Sequence, residues 1–425
     1  MSVKSLTISD TANGLGLNAD GYTLTLAAGG LLMDSDVPAS TIAAKVALGT
    51  AQTWTSNSLN GLTVSGSVSG ANALTKAGGG TVVLAGANTY TGDTRVAAGT
   101  LDLANLNALA TSTLDMNNGD AGSVSFSVAG TNAYNIGGLA GTRAINAAGN
   151  TLSIGAKNVA TEYSGELSNG ALTKVGTNTL TLSGANTFAG TVVFTAGRLT
   201  LATSGALGTG PKELNMQGIN RTLYLKGGIT VQANITMNLS TNSGDGAGLT
   251  NESGDNSILG PINFTTGNPS LNISSAAGTL SISGNVNLTE PTRPLILGGA
   301  STSDNTISGV IGSASAELLP VTKQGVGKWI LSNTNTYTGA TTLSGGTLLV
   351  NGSIAVGNAV AVNSGVHGGT GTVNGPVTVA PGASTGAIAV GLRQFLRRWH
   401  SGHRNQRFRD IAGRCPQCRR EPQCH

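Results

Sequence analysis

The sequence predicts an all-β solenoid, a column of stacked coils, and three observations carry that expectation. A 30-residue unit recurs without internal gaps at uneven spacing. Within it, apolar residues alternate with period two, the signature of half-buried strands. The composition also suits short strands and frequent turns: Gly is 64 of 425 residues, charged residues are 10 %, aromatics 4 %, yet hydrophobic residues reach 39 %. A disordered chain would be poorer in apolar residues and richer in charge.

The three units are Leu74–Leu103, Leu172–Leu201 and Val321–Val350, aligned on Lys76, Lys174 and Lys323. Nine columns are identical, among them Thr75/Thr173/Thr322, Gly78/Gly176/Gly325, Leu84/Leu182/Leu331, Asn88/Asn186/Asn335, Gly92/Gly190/Gly339, Gly99/Gly197/Gly346 and Leu101/Leu199/Leu348. The pattern predicts strand, Gly turn, strand, an Asn-Thr-aromatic-x-Gly corner, strand, Gly turn, strand. The corner reads GANTYTGDT from Gly86, GANTFAGTV from Gly184 and NTNTYTGAT from Asn333. Asn and Gly tolerate left-handed backbone at tight corners. The ring of Tyr90, Phe188 or Tyr337 is expected to pack on a neighbouring coil.

Between units the texture persists. LTVSGSVSG (62–70), LSISGNVNL (280–288), NTISGVIGS (305–313) and GTGTVNGPVTVAPGAS (369–384) keep the alternation and the turns. Only 40–48 and 102–110 offer a turn or two of helix. Lys76 and Lys174 lie 98 residues apart, Lys174 and Lys323 149. A propeller demands equal blades, whereas a stack of coils accepts insertions. With 20–25 residues per coil, each rising ~4.8 Å, the body makes a rod of the order of 80 Å.

These residues carry a resemblance. ALTKAGGGTVVLAGANTYTGDTRVAAGTLDL (73–103), with 171–201 and 320–350, resembles the autotransporter-associated β-strand repeat, also called the passenger-associated transport repeat. The resemblance implies a right-handed parallel β-helix; end coils without caps would leave it incomplete at both ends. It implies the passenger of a type V autotransporter, surface-exposed or secreted, acting as an adhesin or stalk. It assigns the repeats to export and folding rather than catalysis. The implied partners are an outer-membrane translocator barrel and a surface ligand, protein or glycan. The start, MSVKSLTISDTANG, shows no basic segment followed by an apolar run, and no barrel follows, so the chain reads as a piece of a passenger.

The body, 1–391, carries a net −3 and is not built to hold phosphates, so no nucleic-acid partner is expected. The tail, 392–425, has nine Arg against one Asp and one Glu, and holds all three cysteines. A basic tail could bind nucleic acid, and Cys415, Cys418, Cys424 and His425 could ligate zinc. The abrupt loss of periodicity instead favours an out-of-frame, unfolded segment.

No catalytic, cofactor or metal residue is expected. Asp34 and Asp36 are two apart, as paired carboxylates of a carbohydrate-active β-helix enzyme would be, but read as a polar turn before Pro38. Asp245, Glu252 and Asp255 in 242–257 offer oxygen ligands for calcium but match neither an EF-hand nor the Gly-Gly-x-Gly-x-Asp nonapeptide of calcium-binding β-rolls; a solvated insertion fits better. KQGVGKW (323–329) mimics a phosphate loop without its first Gly or its final Ser or Thr. Lys76, Lys174 and Lys323 read as outward charges that discourage side-to-side sheet pairing. Trp54 and Trp329 read as fillers of core or corner. His367 is the sole histidine of the body, so no nucleophile–base set is visible. The alternatives to a surface passenger are a carbohydrate-active enzyme and a phage tail-fibre module.

Overall fold

A computed structural model describes residues 1–217, 221–239, 248–264, 270–288, 294–313, 319–385 and 389–390. Expectations for Asp245 and for the tail 392–425, with its cysteines, lie outside them. The described residues form a parallel β-solenoid with no helix. All their strand pairings are parallel, and most strands pair with the coil before and the coil after, as Thr81–Leu84 does with Leu62–Val64 and Thr100–Leu103.

Each repeat supplies strands of two successive coils that pair with one another. In the first, Leu74–Ala77 lies beside Thr94–Val96, and Thr81–Leu84 beside Thr100–Leu103. The second pairs Leu172 with Val192 and Leu180 with Leu199. The third pairs Val321 with Thr341 and Trp329 with Leu348. A 30-residue repeat is therefore about one and a half coils, closed on itself by two ladders of backbone hydrogen bonds. This explains why the unit has that length and tolerates uneven spacing.

Strand residues alternate between a buried and a partly exposed face, as in Leu74-Thr75-Lys76-Ala77 and Thr179-Leu180-Thr181-Leu182. Inward side chains of successive coils stack into columns of Leu, Ile and Val, each burial contributing roughly 1.5–3 kcal/mol. Leu249, Ile273, Leu297 and Lys323 form one such column. Trp54 and Trp329 are buried, as expected. Their indole N–H groups donate to Gln52 Oε1 at 2.8 Å and Gly298 O at 2.9 Å.

The segments that offered helical turns are strands, Ser40–Ile42 and Lys45–Leu48 in one, Thr100–Leu103 and Leu109–Met116 in the other, where Ala108 N–H donates to Asn105 O in the turn between them. Pairing with the adjacent coils, as of Thr41 with Thr63, outweighs their local preference.

Candidate functional site

Three columns of each repeat are buried, the invariant lysine, the invariant corner asparagine and the corner ring, whereas the invariant Thr89, Thr187 and Thr336 are exposed. The first is the lysine. Lys76, Lys174 and Lys323 point inward and are at most 1 % exposed, so the expectation of outward charges is overturned. Parity already carried the answer: Lys76 stands two residues after buried Leu74, on the same face. Lys76 lies in register between Trp54 and Val96, Lys174 between Ile154 and Phe194, Lys323 between Leu297 and Leu343.

Each ammonium finds the same three partners. Lys76 Nζ donates to Ala77 O and Gly78 O, both at 2.8 Å, and to Ala98 O at 2.9 Å. Lys174 Nζ donates to Val175 O, Gly176 O and Ala196 O at 2.6, 2.8 and 3.1 Å. Lys323 Nζ donates to Gln324 O, Gly325 O and Gly345 O, all at 2.9 Å. Two carbonyls belong to the lysine's own turn and the third to the coil that follows. Burial pushes each ammonium down to about 8. Three carbonyl acceptors favour the form with three hydrogens, the ammonium.

Two glycine columns shape this site. Gly78, Gly176 and Gly325 turn the chain at φ 77°, 72° and 71°. Gly99, Gly197 and Gly346 also adopt positive φ. A Cβ on Gly99 or Gly346 would lie 2.7 Å from the lysine Nζ beneath it. The coil above is stripped to backbone where the ammonium meets it.

The second place is the corner asparagine. Asn88 accepts from Val68 N–H at 2.8 Å and donates to Ala108 O at 3.0 Å, bridging the coil before and the coil after. Asn186 does the same between Leu167 N–H and Ala206 O, and Asn335 between Ile311 N–H and Ser353 O. These asparagines do not have positive φ, which corrects the expectation from left-handed corners. They are retained for their side-chain amides. Gly92, Gly190 and Gly339 likewise lack positive φ. A Cβ there would collide with the backbone of the preceding coil.

The third place is the ring. Tyr90, Phe188 and Tyr337 are buried. Tyr90 Oη meets Thr94 Oγ1 at 2.6 Å, and Tyr337 Oη meets Thr341 Oγ1 at 2.7 Å. In the middle copy both hydroxyls vanish together, as Phe188 and Val192. The ring residue's carbonyl receives a side-chain donor from the next coil in every copy: Thr111 at 2.8 Å on Tyr90, Lys212 on Phe188 and Asn358 on Tyr337. Lys212 also lies 4.2 Å from the centre of the Phe188 ring. Burial pushes the Tyr90 hydroxyl up to about 12 and the Tyr337 hydroxyl higher.

The passenger-associated-transport-repeat profile matches residues 74–103, 172–201 and 321–350, the same units that share these sites. The three units match the passenger-associated transport repeat over their full length. The likeness read from the sequence, to an autotransporter passenger carrying such repeats, is borne out. The chain is also 30 % identical over 282 residues to the adhesin BmaC autotransporter of Brucella suis biovar 1 (strain 1330). That match covers 63 % of this chain but 8 % of the relative, so the chain spans under a tenth of that protein. No solved structure is significantly similar to the chain.

Outside the repeats, the structure disperses the other candidates. Asp34 and Asp36 lie in the turn after Thr23–Met33, with Asp36 at φ 63°. Glu252 pairs with Arg198 at 2.5 Å, and Arg198 also lies over the Tyr224 ring. Asp255 caps Thr279 N–H at 2.9 Å. The described part of 242–257 is two strands, Leu249–Ser253 and the start of Asn256–Ile258, joined by a turn at Gly254 and Asp255, with Asn251 and Asn256 fully buried, so it is not a solvated insertion. No group of three His, Cys, Asp or Glu suited to a metal occurs among the described residues. In KQGVGKW, Lys323 is occupied as above and Lys328 pairs with Asp304. His367 is buried, its Nδ1 3.1 Å from Leu348 O and its Nε2 without a hydrogen-bond partner.

Proposed function

We propose that this chain is a non-enzymatic segment of a surface-exposed or secreted passenger, acting as an adhesin or stalk scaffold, and that its transport repeats aid export and folding. The observation that carries the reading is the repeat itself. Its invariant side chains are spent on joining one coil to the next, by Lys76 to Ala98 and by Asn88 to Val68 and Ala108. A stack built this way gains stability with each added coil. Folding outside the cell, where no nucleotide is at hand, can then hold the emerging chain. The adhesin among its relatives supports the surface role. The surface ligand, protein or glycan, and a translocator barrel are the partners this role requires.

The test is display of the full chain on an outer-membrane translocator. Displaying cells should bind a host-cell or matrix surface more than cells with the translocator alone. Deleting 172–201 should lower the surface yield. Unchanged attachment would remove the adhesin role. Unchanged yield would remove the export role of the repeats. Release of sugars from a glycan library by the purified chain would replace the reading with an enzymatic one.

A further inference from the structure

We infer that each transport repeat contains a binding site for a small monovalent cation, formed by three backbone carbonyls from two coils, and that the invariant lysine's Nζ is a tethered occupant of that site. The ligand class is an ammonium-sized cation with hydrogens to donate. The cation's work is to join the coil bearing the lysine to the coil that follows.

Four observations support this. The three donors of an ammonium meet three carbonyl oxygens in all three repeats, within 2.6–3.1 Å. The third oxygen is always 22 residues downstream of the lysine, on the next coil: Ala98, Ala196 or Gly345. Core filling does not require a lysine, because the positions in register above and below it hold Trp54 and Val96, Ile154 and Phe194, or Leu297 and Leu343. Finally, Gly99 and Gly346 leave the ammonium the space their Cβ would take.

The site has a direction. A lysine on a coil whose successor is missing has two carbonyls and an open third position. Burying a charge without full pairing is costly, and charge-assisted hydrogen bonds are among the stronger ones. Docking of the downstream coil completes the site. Each repeat therefore resists opening between its own two coils more than neighbouring coils do.

The experiment uses the full chain at pH 7 and reads amide hydrogen exchange coil by coil. Lys174→Met keeps the length and apolar bulk but removes the cation. Protection of 172–201 should fall about 10- to 100-fold, with repeats one and three unchanged, and added salts should not restore it. Lys174→Ala opens the site. Methylammonium or ammonium chloride should restore at least several-fold of the lost protection, saturably, whereas tetramethylammonium chloride at equal ionic strength, which has no hydrogens to donate, should not. Protection in Lys174→Met equal to that of the unaltered chain would overturn the proposal. So would equal responses of Lys174→Ala to methylammonium and tetramethylammonium. Should Lys174→Ala fail to fold, the unaltered chain labelled with 15N-lysine decides: slowly exchanging NζH3 signals support the site, and rapid exchange of every lysine overturns it.

Discussion

The transport repeats and the stretch 235–313 belong to one column yet satisfy their buried polar groups by different means. Register partners in the repeats are 19 or 20 residues apart, Leu74 with Thr94, Leu180 with Leu199 and Val321 with Thr341. In the other stretch they are 24 or 25 apart, Met237 with Ile262, Ile262 with Val286 and Val286 with Ile311. That stretch has no lysine at all. Its column of Leu249, Ile273 and Leu297 is apolar until it reaches Lys323. Amides do the work instead: Asn251, two residues along from Leu249, donates to Ser275 Oγ at 3.0 Å and Ala277 O at 2.8 Å on the following coil. On the outer face Asn215, Asn238, Asn263 and Asn287 form an unbroken ladder, with N···O distances of 2.6, 2.9 and 2.8 Å. The lesson is that carbonyls left over at a turn need a donor from somewhere. A short coil with two glycine turns brings them to one point, where an ammonium fits. In the longer coil the Asn251 amide meets the carbonyls of Gly254, Ala277 and Thr279.

Several substitutions can break this contrast. The largest effect is expected at the bridging amides. Asn88→Ala orphans Val68 N–H and Ala108 O, and should lower the local opening free energy from hydrogen exchange by about 3 kcal/mol. Asn238→Ala on the partly exposed ladder should cost about 1 kcal/mol or less. Equal losses would erase the distinction between a bridge through the core and a ladder outside it.

Next come the glycines. Gly99→Ala combines left-handed backbone with a collision against the coil below, and should cost about 2–3 kcal/mol. Gly227→Ala has φ 92° but no atom closer than 4.0 Å, and should cost about 1 kcal/mol. Similar values would mean that backbone conformation alone, and not the approach of the lysine site, keeps Gly99.

The ring pair refines the comparison among the repeats. Tyr337→Phe should cost about 1 kcal/mol by leaving Thr341 Oγ1 without its partner. Phe188→Tyr and Val192→Thr should each be unfavourable alone and nearly neutral together, with a coupling of about 1 kcal/mol in a double-mutant cycle. Additive effects would show that the two positions vary independently.

The smallest effect concerns pH. Burial pushes His367 below its ordinary value, so the folded state holds it neutral where the unfolded chain would take up a proton. Stability of the coil at Val360–Gly368 should therefore be level above about pH 6.5 and fall as the pH drops below it. His367→Leu should flatten that slope, as read by hydrogen exchange between pH 8 and 5. A slope that survives the substitution would assign the acid sensitivity to other groups.

Much of the architecture was legible in the residues. The repeat boundaries, the four-strand reading of each unit and the absence of helix among the described residues follow from period-two alternation broken by Gly, which is a local property. The burial of Trp54, Trp329, Tyr90, Phe188 and Tyr337 also follows from their parity and size. The lysines were misread because charge was set above parity: the pattern placed Lys76 on Leu74's face, and three carbonyls compensate for its burial. The corner asparagines were correctly located but given a backbone reason in place of a side-chain one.

By itself, then, the sequence determined that the chain stacks as strands and where each coil turns, because side-chain alternation and glycine act on residues near in sequence. Only the tertiary structure decided what the invariant polar residues do. Their partners, Ala98 for Lys76, Val68 and Ala108 for Asn88, and Thr111 for the carbonyl of Tyr90, lie 20–22 residues away on other coils. A hydrogen bond has no counterpart in a local pattern when its acceptor is a backbone oxygen, which every residue type supplies alike.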